Sequence, residues 1–270
     1  MEPRVPEPPG SPRLLRPRTV GELLTDAFEL YRRHWQNLVV IVAVIVIPLS
    51  FLQVLVGDLW IRQGLTEEEL RSGVESGTFA GAILGSIVVA ITSILMWTVL
   101  TGAITRAAAG TFLGRDLEIG ESYRYGFARF WSIVLVGLLS GLAIAVGFVL
   151  LIVPGFIVLT FLTCAIPALV IEGKRGREAL RRSWNLVRGR GWPVFGTIVV
   201  ATLINGIVNS LLTAPFGDNW AARSIGASIA SVITMPYMAL VGVFIYLDVR
   251  VRKEQYSAAE LERDLASSGV

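Results

Sequence analysis

The chain has 270 residues, of which 53% are hydrophobic and 17% charged, with a mean hydropathy of +0.64. An ordinary soluble domain is about 25% charged. That balance, with a single Cys and a single His, argues against a soluble catalytic domain and excludes a disulfide scaffold or a His-based metal centre.

The first 18 residues contain six Pro and four Arg and read as a disordered cytoplasmic tail, with no apolar stretch that would make a cleavable signal peptide. Thr19 and Glu22 then match a capping box. Leu24, Phe28, Tyr31 and Trp35 recur at helical spacing behind it, opposite Glu22, Asp26, Glu29 and Arg33, which predicts an amphipathic helix lying along a membrane surface.

Five runs without any Asp, Glu, Lys or Arg follow, at 35–57, 76–105, 130–171, 191–217 and 224–247. Each is long enough to cross a hydrocarbon core about 30 Å thick, which takes roughly 20 residues of helix. The basic residues are distributed asymmetrically between them: six in 1–34, four in 106–129, seven in 172–190 and four in 248–270, which is 21 of 24. Residues 58–75 carry five acids, including Glu67, Glu68 and Glu69, against Arg62 and Arg71. By the positive-inside rule the basic segments and both termini face the cytoplasm, and 58–75 and 218–223 face outward.

The 42-residue run 130–171 is flanked by basic segments at both ends, so it must cross twice, and Val153-Pro154-Gly155 offers the turn. The alternative is a re-entrant pair entering from the cytoplasmic side. The expected fold is therefore all-α and polytopic: six spans near 37–57, 78–104, 131–152, 155–171, 193–215 and 225–247, forming three helical hairpins within a membrane domain 19–253, followed by a polar cytoplasmic tail 254–270. An amphipathic cytoplasmic helix is expected before spans one, three and five. The second carries Ile119, Tyr123, Phe127 and Trp131. The third has Leu180, Trp184 and Val187 on its apolar side and Arg177, Arg181, Arg182 and Arg188 on the other. Arg outnumbers Lys by 22 to 2, a bias expected of a GC-rich bacterial genome.

Several short motifs are shared with a known family. Arg16-Pro17-Arg18-Thr19-Val20-Gly21-Glu22-Leu23-Leu24, Ile166-Pro167-Ala168-Leu169-Val170-Ile171-Glu172-Gly173, Ala179-Leu180-Arg181-Arg182-Ser183-Trp184-Asn185-Leu186-Val187-Arg188-Gly189 and Tyr246-Leu247-Asp248-Val249-Arg250 resemble the membrane domain found on some bacterial glycerophosphoryl diester phosphodiesterases. In the fused members a separate soluble domain carries the hydrolysis, so the resemblance implies a multi-helix membrane module without catalysis of its own.

The residues give the same expectation. Phosphodiester hydrolysis needs a metal-held water and converging acid and base groups, and neither His34 beside Trp35 nor Cys164 within the fourth span has suitable neighbours in sequence. No enzyme activity, cofactor, metal or nucleic-acid partner is expected. The candidate binding residues are Arg177, Arg181, Arg182 and Arg188, for the anionic lipid headgroups of the bilayer, and the intramembrane polar residues Asn205, Asn209 and Gln53. Gly137 and Gly141 form a GxxxG pair expected to pack inside the bundle. The function these features favour is a non-catalytic plasma-membrane module associating with headgroups or a protein partner. The alternative is a facilitator that moves a lipid or small amphiphile through a cavity lined by Asn205 and Asn209.

Overall fold

The computed structural model describes residues 15–56, 76–113, 129–217 and 220–268. Among them it is all-helical: α1 (Val20–Arg33), α2 (Trp35–Val56), α3 (Ser76–Phe112), α4 (Phe130–Leu150), α5 (Ile152–Leu162), α6 (Ala165–Glu172), α7 (Arg177–Val187), α8 (Gly191–Thr213), a 3₁₀ turn (Ala214–Phe216), α9 (Trp220–Glu254) and α10 (Ala258–Ser268). Among the described residues five stretches are long and apolar enough to cross a membrane: Leu84–Phe112, Phe130–Leu150, Ile152–Glu172, Gly191–Phe216 and Ile225–Glu254. The apolar α2 turns through 85° from α1 at their junction. This arrangement fits a multi-pass membrane protein. The second amphipathic helix and the Glu67–Glu69 triplet lie outside the described residues.

The capping box forms as the sequence predicts. The Glu22 amide donates to Thr19 Oγ1 at 3.4 Å, and the Thr19 amide donates to Glu22 Oε2 at 2.8 Å. The buried stripe of α1 is nevertheless one position off the aromatic one. Leu23, Ala27 and Leu30 face the core, whereas Phe28 and Trp35 are exposed. α7 behaves alike: Ala179, Ser183, Leu186 and Val187 are buried and Trp184 stays exposed against Phe161. Small and aliphatic residues let a helix approach the bundle closely, and the aromatic side is left for an apolar surrounding.

The α4–α5 hairpin turns at Leu151, not at Val153-Pro154-Gly155. Leu151 is extended (φ −165°, ψ 153°) and Pro154 falls in the first turn of α5. The reason is proline chemistry, since Pro lacks only an amide that the first helical turn would leave unpaired anyway. Val149, Leu150, Leu151, Ile152 and Val153 are all more than 65% exposed at the tip.

α4 packs antiparallel on α3 through small residues. A Cβ placed on Gly137 would stand 2.1 Å from Thr98 Oγ1, one on Gly141 2.8 Å from Ile94 Cδ1, and one on Gly102 3.3 Å from Ile133 Cδ1. The GxxxG pair is thus an internal contact, four residues per step on both helices.

The apolar stretch Ile152–Glu172 is broken. Pro167 has no amide, and its ring would clash with the carbonyl of Thr163, so the helix interrupts at Thr163–Cys164 and restarts as α6. Ser183 from α7 fills the break: its Oγ donates to the Phe161 carbonyl at 2.6 Å and accepts from the Cys164 amide at 3.1 Å. Cys164 itself is fully buried and unbridged, pinned here through its backbone. Ser183→Ala, which leaves both backbone groups unpaired in an apolar setting, is expected to cost about 1–3 kcal/mol. Thermal unfolding of the detergent-solubilised variant would show this as a clear fall in Tm, and an unchanged Tm would mean the break is satisfied otherwise.

Candidate functional site

At one end of the bundle the four quoted sequence motifs converge on two ionic knots, the first of them a clasp between α6, α7, α9 and α10. α6 ends there because Gly173 takes a left-handed conformation (φ 69°) that glycine adopts without a Cβ penalty. Glu172, at the last turn of α6, accepts from Arg182 Nε at 2.9 and 2.8 Å and from the Tyr246 hydroxyl at 2.8 Å. Arg182 Nη2 donates to Glu254 Oε2 at 2.8 Å, and Arg250 Nε donates to the same oxygen at 2.9 Å. Arg250 Nη1 also donates to the Tyr246 oxygen at 3.0 Å and to Asp264 Oδ2 at 2.7 Å, with its guanidinium 3.5 Å above the Tyr256 ring. Three carboxylates and two guanidiniums thereby tie α6, α7, α9 and α10 together.

A second knot lies one face around α9. Asp248 accepts from the Arg18 amide at 2.7 Å and from Arg252 Nε at 3.0 Å; Arg252 Nη2 donates to the Arg18 carbonyl at 2.6 Å, and Arg18 Nε to Asp26 at 2.7 Å. Arg18, Asp248 and Arg250 are each no more than 8% exposed. Charges so buried are tolerable only when paired and hydrogen-bonded on most of their donor and acceptor positions, as here. Burial works against the charge on Arg182, but its bonds to Glu254 and the field of Glu172 outweigh that and raise its pKa.

Residues 258–268, which read from sequence as a polar tail, form a helix with Leu261 and Leu265 buried. The chain reverses into it at Gln255 (φ 53°), and Ser257 with Glu260 makes a capping box, at 2.8 Å for the Ser257 amide and 3.4 Å for the return bond. At its far end the Leu265 and Ser268 carbonyls accept from Arg106 and Arg129, at 3.4 and 2.9 Å, cations at the negative end of a helix. The Ser-x-x-Glu spacing at 257–260, followed by Leu261 and Leu265, was the available signal for this element.

Burial comes first among the causes that raise the Tyr256 pKa; Arg250 opposes it and the bond to Asp264 adds to it. An unfolded Tyr titrates near 10. Because the folded value is the higher, this contribution to stability is fully present below about pH 10 and is lost as pH rises through the folded pKa. The Tm of the parent should therefore fall more steeply above about pH 10 than that of Tyr256→Phe. Parallel curves would remove Tyr256 as the cause.

The sequence-predicted site residues are divided. Arg182 belongs to the clasp, whereas Arg177, Arg181 and Arg188 are exposed on the outer side of α7. Asn205 and Asn209 are half-buried on α8, and Asn205 Oδ1 is buried without a hydrogen-bond partner among the described residues. Gln53 lies on α2, but its side chain is outside the described residues. Three cavities among the described residues are lined by other side chains. One of about 570 Å³ lies between α3, α4, α5, α8 and α9, with Ser93, Thr98, Thr101, Ser140, Thr163 and Thr202 in its wall. Neither Asn205 nor Asn209 reaches it.

A family model for a domain of unknown function, DUF7847, matches residues 38–249. The chain belongs to the DUF7847 family. No curated protein and no solved structure matches it. The two knots together extend past both limits of the matched domain: Arg18 and Asp26 of the second precede it, and Arg250, Glu254, Tyr256 and Asp264 of the clasp follow it.

Proposed function

We propose that this DUF7847 protein is a non-catalytic, six-span module of the plasma membrane whose basic end, with both termini, faces the cytoplasm and engages anionic lipid headgroups. The observation that carries the reading is the two-sided character of α7. Ser183 and Arg182 fasten one side to the bundle, and Arg177, Arg181 and Arg188 stand exposed on the other, near the exposed Trp184 and Trp192. Basic residues beside an aromatic belt attract an anionic leaflet at about 1 kcal/mol each. The segments that the charge distribution assigns to the cytoplasm meet through Arg18–Asp248, Glu172–Arg182 and the Arg106 and Arg129 contacts to α10. Their convergence at one end supports the topology. The resemblance to the membrane domain of glycerophosphoryl diester phosphodiesterases fits a module that holds a soluble partner at the lipid surface.

The test is lipid analysis of the protein in nanodiscs of mixed phosphatidylglycerol and phosphatidylcholine. The parent should enrich phosphatidylglycerol in its retained lipid, and a combined Arg177→Gln, Arg181→Gln, Arg188→Gln variant should lose most of that enrichment. Equal retention by both would sink the headgroup reading.

A second reading, facilitated movement of a small amphiphile, is favoured by the 570 Å³ cavity with its hydroxyl-bearing wall. Thr98, Thr101 and Thr163 donate to carbonyls four residues back, which leaves oxygen lone pairs for a ligand's donors. Uptake of a fluorescent lipid analogue into proteoliposomes, slowed by Thr98→Val, would promote this reading, and parent rates equal to protein-free vesicles would remove it.

A further inference from the structure

We infer that the turn between α7 and α8 holds one anionic phospholipid, its phosphate beside Arg190 and an acyl chain in the adjoining aromatic groove. The inference rests on the headgroup reading above and assigns it a defined site.

Two cavities open on residues 189–193 and share Pro193. The first, about 210 Å³, is bounded by Arg18, Arg190 and Arg252, with Asp248, Thr19 and Thr197 among its other walls. Seven or so waters would fill it, at about 30 Å³ each, which is room for a phosphate ester. Its charges do not cancel. Arg18 is paired with Asp26 and Arg252 with Asp248, but Arg190 makes no ion pair among the described residues. One positive charge is therefore left facing a small pocket whose remaining walls, Val20, Leu23, Val194, Ile245 and Val249 among them, are apolar.

The second cavity is a groove of about 680 Å³ between α5 and the start of α8. Phe156, Ile157, Phe161, Trp192 and Phe195 line it, and Thr160 supplies its main polar side chain. Phe156 and Phe195 meet edge to face at 5.9 Å, and Trp192 and Phe195 at 6.2 Å, so the wall is built of interlocked rings. A free inorganic anion would use the first cavity and leave the second empty. A zwitterionic lipid would fill the groove but bring its own cation to Arg190. An anionic phospholipid satisfies both cavities at once, which decides the occupant.

The test is native mass spectrometry of the full chain in mild detergent, titrated with phosphatidylglycerol. One tightly retained phosphatidylglycerol is expected on the parent, with affinity reduced about fivefold in Arg190→Gln, the effect of removing one nearby cation. Arg190→Lys should keep most of the affinity, and Arg263→Gln, exposed on α10 and outside both cavities, should leave this single lipid unchanged. Millimolar glycerol phosphate should not displace it.

Parent-like retention by Arg190→Gln would overturn the site. If the α7 triple variant nonetheless lost its lipid enrichment, the general headgroup reading would survive that failure. Displacement by glycerol phosphate would overturn the lipid assignment in favour of a soluble phosphate. Phosphatidylcholine held as tightly as phosphatidylglycerol would overturn the role of charge. Unaltered melting of Arg190→Gln is required alongside, and the lysine variant, which preserves the charge, separates loss of binding from loss of fold.

Discussion

Arg250→Ala should destabilise the solubilised protein by about 3–5 kcal/mol, the largest effect expected, because it breaks a buried charge cluster, leaving Asp264 without a counter-charge and Glu172 and Glu254 with Arg182 alone. Arg250 bonds at once to Glu254, the Tyr246 hydroxyl and Asp264, and covers the Tyr256 ring. Its loss removes the main polar tie between α9 and α10. Two readouts are expected together: a lowered Tm, and cleavage by added protease within 255–268, which in the parent is protected by the docking of Leu261 and Leu265. Asp264→Asn should release α10 with a smaller loss, since Glu172 and Glu254 keep their arginines. An Arg250→Ala protein with parent Tm and an uncleaved C-terminal helix would show that the clasp contributes nothing to stability.

Gly137→Ala should be the most damaging of the glycine changes, at about 1–3 kcal/mol, and Gly137→Leu worse. The added Cβ would stand 2.1 Å from Thr98 Oγ1 and 2.7 Å from Thr98 Cβ. Thr98 cannot easily yield, because its hydroxyl is bonded to the Ile94 carbonyl at 2.6 Å and its branched side chain has few rotamers within a helix. α3 and α4 must then separate along the whole ladder that includes Ile94–Gly141 and Gly102–Ile133. Thr98→Ala should restore part of the loss by removing two of the three crowded atoms. Gly206→Ala supplies the contrast: nothing lies within 4 Å of its Cβ position, and a helix-interior glycine replaced there should leave stability unchanged or raise it by about 0.5–1 kcal/mol. Equal melting of the two variants would refute close packing at Gly137.

The alkaline behaviour of Tyr256 and the cost of Ser183→Ala bear on the same end of the molecule. α7 is held to the bundle by Ser183 in the helix break and Arg182 in the clasp, and α10 by Arg250 and Tyr256. These tethers fix where the exposed arginines and the Arg190 pocket stand relative to the apolar helices. Damage to the clasp should therefore weaken lipid retention even though none of its carboxylates touches a lipid phosphate.

Much of this architecture is dictated by the order of residues along the chain. Long charge-free runs can only be satisfied as apolar helices, because backbone groups in an apolar setting must bond within their own segment. The Thr19–Glu22 box starts α1, and the small residues at 137 and 141 announce a close helix contact; each effect is local or repeats with the helical period, so each is legible before any fold is known. What the sequence could not decide is which side chains meet across long separations. Arg182 read as one of four equivalent surface cations, yet it lies against Glu172 and Glu254, the latter 72 residues away, while Arg177, Arg181 and Arg188 remain outside. The buried stripes of α1 and α7 fall one position away from the aromatic ones, because close approach rewards small residues over large ones. The hairpin turn moved to Leu151 because Pro154 is comfortable inside a first helical turn. Asn205 and Asn209, prominent as intramembrane amides, lie off the cavity that the packing of five helices encloses. Period and composition fix elements one at a time, whereas ion pairs, cavities and pockets belong to the spaces between elements, and only tertiary packing creates those.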